Sequence, residues 1–216
     1  MRSKVSKYIC IATAAAVFLV QCAPRPVATS WKPGHVRPAN YQRIMVVAIL
    51  PQKDSLVRFK VEGDLTRKLK ELGYQAVSAS DEFGASGLAN LGEEDTYLKL
   101  CNRGIDAVIT AAMIRKTSES YLHIGKPYLQ ANSYYYSRIW NYKKLQEDTA
   151  VISPQTDFFW ESILFDLASL EAAGTMRTHP FLKKDETKIT RNLAGLIVWQ
   201  MQKLKILSRQ QKLRAF

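Results

Sequence analysis

The stretch RIMVVAIL, Arg43 to Leu50, sets the strongest constraint on the fold. It is apolar and rich in β-branched residues at successive positions, so a strand built from it presents apolar side chains to both faces. Such a strand needs a cover on each side, as in a sheet with helices on both faces. Pro51 ends the run, and Asp54 or Ser55 can cap a helix that begins there. Leu56, Phe59, Leu65, Leu69 and Leu72 then recur at helical spacing, Gly63 weakens the middle, and Gly73 supplies a C-terminal stop. YQAVSAS reads as a short second strand. DEFGASGLANLG reads as a Gly-rich linker, since it lacks the spacing of a phosphate cradle. EEDTYLKLCNRG reads as a helix with acids at its positive end and Tyr97, Leu98 and Cys101 on its apolar side. IDAVITAAMI is a third strand.

The order strand, helix, strand, helix, strand predicts an α/β sheet. After it, TDFFWESILFDL (Thr156 to Leu167) reads as a strand apolar on both faces, SLEAAG as a turn, and TMRTHPF as an adjoining antiparallel strand. Asp185 can cap a long helix to about Leu207, with Ile189, Leu193, Leu196, Ile197, Trp199 and Leu204 as its apolar stripe. The predicted fold class is a three-layer α/β sandwich. Its mixed sheet carries an N-terminal strand-helix-strand-helix-strand unit, then an antiparallel strand pair and a long C-terminal helix.

The N-terminus has a different character. Arg2, Lys4 and Lys7 come with no acid, and a 13-residue apolar run follows from Tyr8 to Val20. A bilayer-spanning helix needs roughly 20 apolar residues, whereas a positive start with a shorter apolar core reads as an export signal. The run stops at Gln21-Cys22, and Pro24 and Pro26 cannot continue a helix. Leu19-Val20-Gln21-Cys22 resembles the bacterial lipobox, in which the cysteine is acylated and the signal is cut just before it. Gln21 stands where that motif usually has Gly, Ala or Ser. An ordinary secretory signal and an uncleaved anchor are the alternatives. The expected organisation is a lipoprotein signal peptide at 1–21, a Pro-rich tether at 22–42, one α/β domain at 43–207 and a basic tail at 208–216. That tail holds Arg209, Lys212 and Arg214 and is expected to be frayed and solvated.

Cleavage after residue 21 leaves 195 residues and takes three Lys/Arg away, so the formal charge falls from +12 to +9. On an exported chain this points away from nucleic acid and toward anionic lipid, lipopolysaccharide or cell-wall polymer; a solvated basic surface is the plain alternative. Of three cysteines, Cys10 lies in the signal and Cys22 is the acyl site, so Cys101 has no intramolecular partner. A disulfide framework is therefore excluded, and Cys101 is expected to be a small core residue.

Catalytic patterns are sparse. His35, His123 and His179 share no helical or strand spacing, and no zinc, Cys-x-x-Cys or nucleophile-elbow motif occurs. Glu93, Glu94 and Asp95 suit a helix start. Glu161 and Asp166 fall on opposite faces of one strand and cannot pair from that strand alone. No catalytic residue, cofactor or metal ligand is assigned. The candidate ligand or partner surface comprises Tyr134, Tyr135, Tyr136 and Trp140 from an aromatic stretch (128–142) interleaved with basic residues, which can stack sugar rings or nucleobases or pack on the sheet. Lys53 and Arg115, with Lys116, add an anion-binding possibility at the carboxyl ends of the parallel strands.

The parts occur in a familiar order: lipobox, Pro-rich tether, RIMVVAIL, Arg58 and Glu62 in a helix ending LKELGY, GIDAVIT, a Tyr-rich stretch, WESILFDL, and a final helix. This order resembles small bacterial envelope lipoproteins of unknown function, with a domain similar to the TolB N-terminal domain and to the CsgG-type curli secretion lipoprotein. Trp160 to Asp166 matches one strand of that pattern; Met176 stands near where a second Trp is usual. The resemblance implies a non-enzymatic, lipid-anchored envelope protein that binds or organises an envelope partner. Ala23 after the cysteine, rather than Asp, points to the periplasmic face of the outer membrane. A homo-oligomeric secretion-channel component or accessory, and a secreted glycan-binding or hydrolytic protein, are the competing readings.

Overall fold

The computed structural model describes residues 27–34, 40–50, 54–84, 93–115 and 157–210. RIMVVAIL supplies strand β2 (Arg43–Ile49), which lies between β3 (Gln75–Ser78) and β4 (Ala107–Arg115) and runs parallel to both. Helix α1 (Ser55–Glu71) joins β2 to β3, and α2 (Ala79–Phe83) and α3 (Glu93–Asn102) lie between β3 and β4. Strand β5 (Asp157–Asp166) runs antiparallel to β4, and β6 (Glu171–Thr178) runs antiparallel to β5. The described residues form one mixed sheet of seven strands. Its order is β1-β6-β5-β4-β2-β3, where β1 is Val27–Trp31, antiparallel to β6. The two-residue β7 (Phe181–Leu182) pairs with the start of β5; because β4 fills the other edge of β5, β7 prolongs the line of β6. A single 3-10 turn (Lys183–Asp185) then leads into α4 (Glu186–Lys203).

The double-sided apolar pattern is used as predicted. Ile44, Val46, Ala48, Phe158, Trp160 and Leu164 face α1 and α4, while Met45, Ile49, Phe159, Ile163 and Phe165 face the layer of α2 and α3. The fold is thus a three-layer α/β sandwich. Gly73 ends α1 with φ +99, and Tyr74 N then donates to Leu69 O at 3.2 Å, closing the helix as expected.

Several finer expectations change. The segment expected as tether contributes β1, which starts only five residues after Cys22. Gly174 makes room for it: a Cβ there would collide with Ile206 Cδ1 and stand 3.3 Å from Trp31 O. The buried face of α1 is Val61, Glu62, Leu65, Thr66 and Leu69, whereas Leu56 is 84 % and Phe59 47 % exposed. The helix is rotated so that Glu62, a charge, enters the core. In α3, Thr96 and Leu100 are buried while Leu98 and Cys101 are exposed, so Cys101 is not a core residue. Trp199 likewise lies outside the buried stripe of α4. Asp54 and Asp185 hold the N-cap positions of α1 and α4 without a side-chain cap bond, and Ser78 caps α2 by accepting from Asp81 N. The turn after β5 is residues 167–170, and Glu171 to Gly174 already belong to β6. The start of the tail is docked: Gln210 N donates to Leu72 O at 2.8 Å, and Ser208 O accepts from Tyr74 Oη at 2.9 Å.

Candidate functional site

Cys22, Lys53, Lys116, Tyr134, Tyr135, Tyr136 and Trp140 lie outside the described residues, as do His35 and His123. Arg115 is described: it ends β4 opposite Phe158 of β5 and is half-buried. His179 is exposed in the break between β6 and β7. Glu161 and Asp166 are separated as expected. Asp166 caps the turn after β5, accepting from Ala168 N at 2.8 Å, while Glu161 is buried in the sheet. Among the described residues no group of His, Cys, Asp or Glu is placed to hold a metal ion, and no helix is long and apolar enough to cross a membrane.

Two buried carboxylates dominate the polar interior. Glu62 is 1 % exposed. It accepts from Ala48 N at 2.9 Å on one oxygen, and from Ser78 Oγ at 2.8 Å and Ser80 N at 3.0 Å on the other. The side chain therefore ties α1 to the end of β2 and to the β3–α2 junction. One turn earlier Arg58 Nη2 donates to Leu50 O at 3.1 Å, so residues at i and i+4 of one helix both grip strand ends. This is the role of the Arg58 and Glu62 pair singled out in the sequence. The Glu after an arginine at that spacing, ahead of an Ser-x-Ser junction, is the signal that locates it.

Glu161 and Arg177 face each other directly across β5 and β6. Arg177 Nη2 stands 3.4 Å from both carboxylate oxygens, and its guanidinium lies 5.2 Å from the Phe159 ring centroid. Burial pulls the guanidinium down to about 10, still above neutral pH, so Arg177 keeps its charge there. At the opposite end of the sheet, Asp106 accepts from Gln42 N at 2.6 Å and Arg43 N at 3.2 Å. Burial, with the charges of Asp166 and Asp106 added, pushes the buried Tyr41 phenol above its ordinary value. What these groups do is fasten elements together. Glu62 has hydrogen-bond donors on both oxygens and Glu161 has an arginine beside it.

No family model and no curated protein matches the chain. Solved structures similar to it include a PelC dodecamer from Paraburkholderia phytofirmans (8 % identity, TM-score 0.40, covering 84 % of this chain and 97 % of that one). A variant of that dodecamer gives 9 % identity and a TM-score of 0.39, covering 79 % and 96 %. The lipoprotein GNA1162 from Neisseria meningitidis gives 12 % identity and a TM-score of 0.38, covering 75 % and 99 %. The words dodecamer and lipoprotein belong to those proteins. At these TM-scores the likeness decides neither fold nor function; both rest on the chain's own residues.

Proposed function

We propose that the chain is a lipid-anchored bacterial cell-envelope protein, non-enzymatic, acylated at Cys22 and held at the periplasmic face of the outer membrane. There its α/β domain binds or organises an envelope partner. The observation that carries the reading is the N-terminal pattern: three cations, a 13-residue apolar run and Leu19-Val20-Gln21-Cys22, with Ala23 rather than Asp next. Among the described residues the buried carboxylates Glu62 and Glu161 are both engaged in holding elements together.

The test is the intact mass of the membrane-extracted protein beside a Cys22→Ser variant. A wild-type mass that starts at Cys22 and carries acyl groups, lost in the variant, is expected. A mass retaining Met1, or a mature mass without lipid, would refute the anchor. Membrane fractionation then reads the outer-membrane assignment, which recovery in the inner-membrane fraction would overturn.

A further inference from the structure

Helix α4 has two unlike faces. Leu193, Ala194, Ile197, Val198 and Met201 are buried toward the sheet. On the other side Lys188, Arg191, Gly195, Trp199 and Lys203 are exposed and follow one another at three- and four-residue steps, forming one stripe, and Lys184 is exposed beside Asp185 in the 3-10 turn just ahead of the helix. Trp199 keeps 48 % of its surface in solvent, and Lys203 Nζ lies 5.1 Å from its ring centroid. The outer face of α1 is different. There Lys60 pairs with Asp64, Arg67 with Asp64 and Glu71, and Lys68 with Glu71, so that face neutralises itself. Among the described residues no carboxylate pairs with Lys184, Lys188 or Arg191. The stripe is a cationic surface with an indole in it, and its natural complement is anionic.

The path of the chain says which anion. Gln200 Nε2 donates to Ser30 Oγ at 2.8 Å, which pins α4 alongside β1. The two run in the same sense: β1 is antiparallel to β6, and α4 turns back after β6 and β7, so that the following residues reach Leu72 at the end of α1. Val27 lies three residues before Ser30, about 10 Å along the strand, a rise that about seven helical residues also make. Val27 therefore stands about level with Leu193, at the height of the basic half of the stripe, which lies on the side of the helix away from the sheet. Five Cα-to-Cα steps separate it from Cys22, a reach of about 17 Å even when stretched, whereas α4 is about 27 Å long. A bilayer holding Cys22 is closer to the β1 edge than the length of the helix beside it.

Building on the acylation of Cys22 proposed above, we infer that the α4 stripe docks on the anionic headgroups of the bilayer that holds the anchor. Lys184, Lys188 and Arg191 meet lipid phosphates, and Trp199 enters the interfacial layer. The domain lies against the membrane on its α4 side, with the α2 and α3 layer facing away.

The test uses the membrane-extracted full-length protein in vesicles of phosphatidylcholine with phosphatidylglycerol, and of phosphatidylcholine alone. A fluorophore is placed at Gly195→Cys, where an added side chain meets nothing within 4 Å, in a Cys101→Ser background. The reference is the same fluorophore on native Cys101, exposed on α3 across the sheet. A water-soluble collisional quencher is expected to reach position 195 several-fold less than position 101 in anionic vesicles only. The protection is expected to vanish at high salt and in the Lys184→Gln, Lys188→Gln, Arg191→Gln chain. Each cation near an anionic surface raises partitioning about fivefold, so the triple change shifts the docking equilibrium roughly a hundredfold. Equal quenching at the two positions in anionic vesicles would overturn the inference. So would equal protection in neutral vesicles, or protection already present in lipid-free detergent, which would place a second copy on the helix. Failure of the anchor shows separately, in the mass of the chain; protection of position 195 from anionic vesicles by an unacylated chain would still uphold the stripe.

Discussion

Glu62 offers a sharp test of how this interior is held. Its two oxygens satisfy two buried backbone N–H groups and one hydroxyl at 2.8–3.0 Å. In Glu62→Gln only one carbonyl oxygen remains, and the amide nitrogen must face either Ala48 N–H or the Ser78 and Ser80 donors. At least one buried donor is then orphaned, at a cost of about 1–3 kcal/mol. Glu62→Ala orphans both backbone donors and leaves a void, so its cost is about twice as large. For a chain of this size each kcal/mol moves Tm by about 2–4 °C, so the Gln variant should melt about 2–12 °C lower and the Ala variant about twice that. Thermal melts by circular dichroism read the shift, and amide exchange at Ala48 and Ser80 should quicken in both. Lys60→Ala, in an exposed pair on the same helix, is the control and should lie within about 1 kcal/mol of wild type. An Ala variant melting within about 2 °C of wild type would refute the assigned role, since a satisfied buried carboxylate cannot be removed for nothing.

Arg177→Met should destabilise by about 3–5 kcal/mol because it leaves Glu161 buried without its cation, and adding Glu161→Met should recover most of the loss in urea melts. Gly174→Ala should cost about 1–3 kcal/mol by driving a methyl into Ile206 Cδ1. Ile206→Val, which deletes that atom, should rescue it, giving a double variant more stable than the sum of the single losses by denaturant titration. Lys60, with Arg67 behind it, holds the Asp64 carboxyl below its ordinary 3.8. A depressed acid contributes stability above its unfolded value and loses it as pH falls through the folded one, so this contribution is present above about pH 4 and disappears below it. Lys60→Ala should move the Asp64 titration upward by NMR.

The fold was legible where the pattern is redundant. RIMVVAIL, IDAVITAAMI and FFWESILF put apolar residues on both faces of a strand, which suits a sheet covered on both sides, so the layers and the succession of strands and helices along the chain were legible. Helix faces were misread where one polar residue has a private reason to be inside. Leu56 and Leu65 are chemically alike, yet one is 84 % exposed and the other is buried, because the rotation of α1 is set by Glu62 reaching the backbone of β2 and α2 and the Ser78 hydroxyl of β3. The same applies to α3, where Cys101 and Leu98 face out and Thr96 faces in. Strand β1 was hidden because VATSW, between two prolines and Lys32-Pro33, has the composition of a linker, and its pairing with β6 is a long-range fact that no local window carries. The Glu161–Arg177 pair was half visible: the glutamate stood out, but its arginine partner became apparent only once β5 and β6 were in register.

The edge position of β1 also orders events in time. Val27 pairs with Thr178, 151 positions later in the chain. Closing a loop of that length from an open chain costs about 4–5 kcal/mol. Once β2 to β6 have assembled, only residues 32–42 still separate β1 from the body, and the remaining cost falls to about 2 kcal/mol. Pairing of β1 with β6 therefore costs less chain entropy after β2 to β6 have assembled than before. Among the described residues the β1 ladder joins a single neighbour, so a pull applied ahead of Val27 loads that pairing first. Tension on the N-terminus can be absorbed by releasing β1 from β6 while the layers built on β2, β4 and β5 stay folded, which gives the domain an extensible leash of its own sequence.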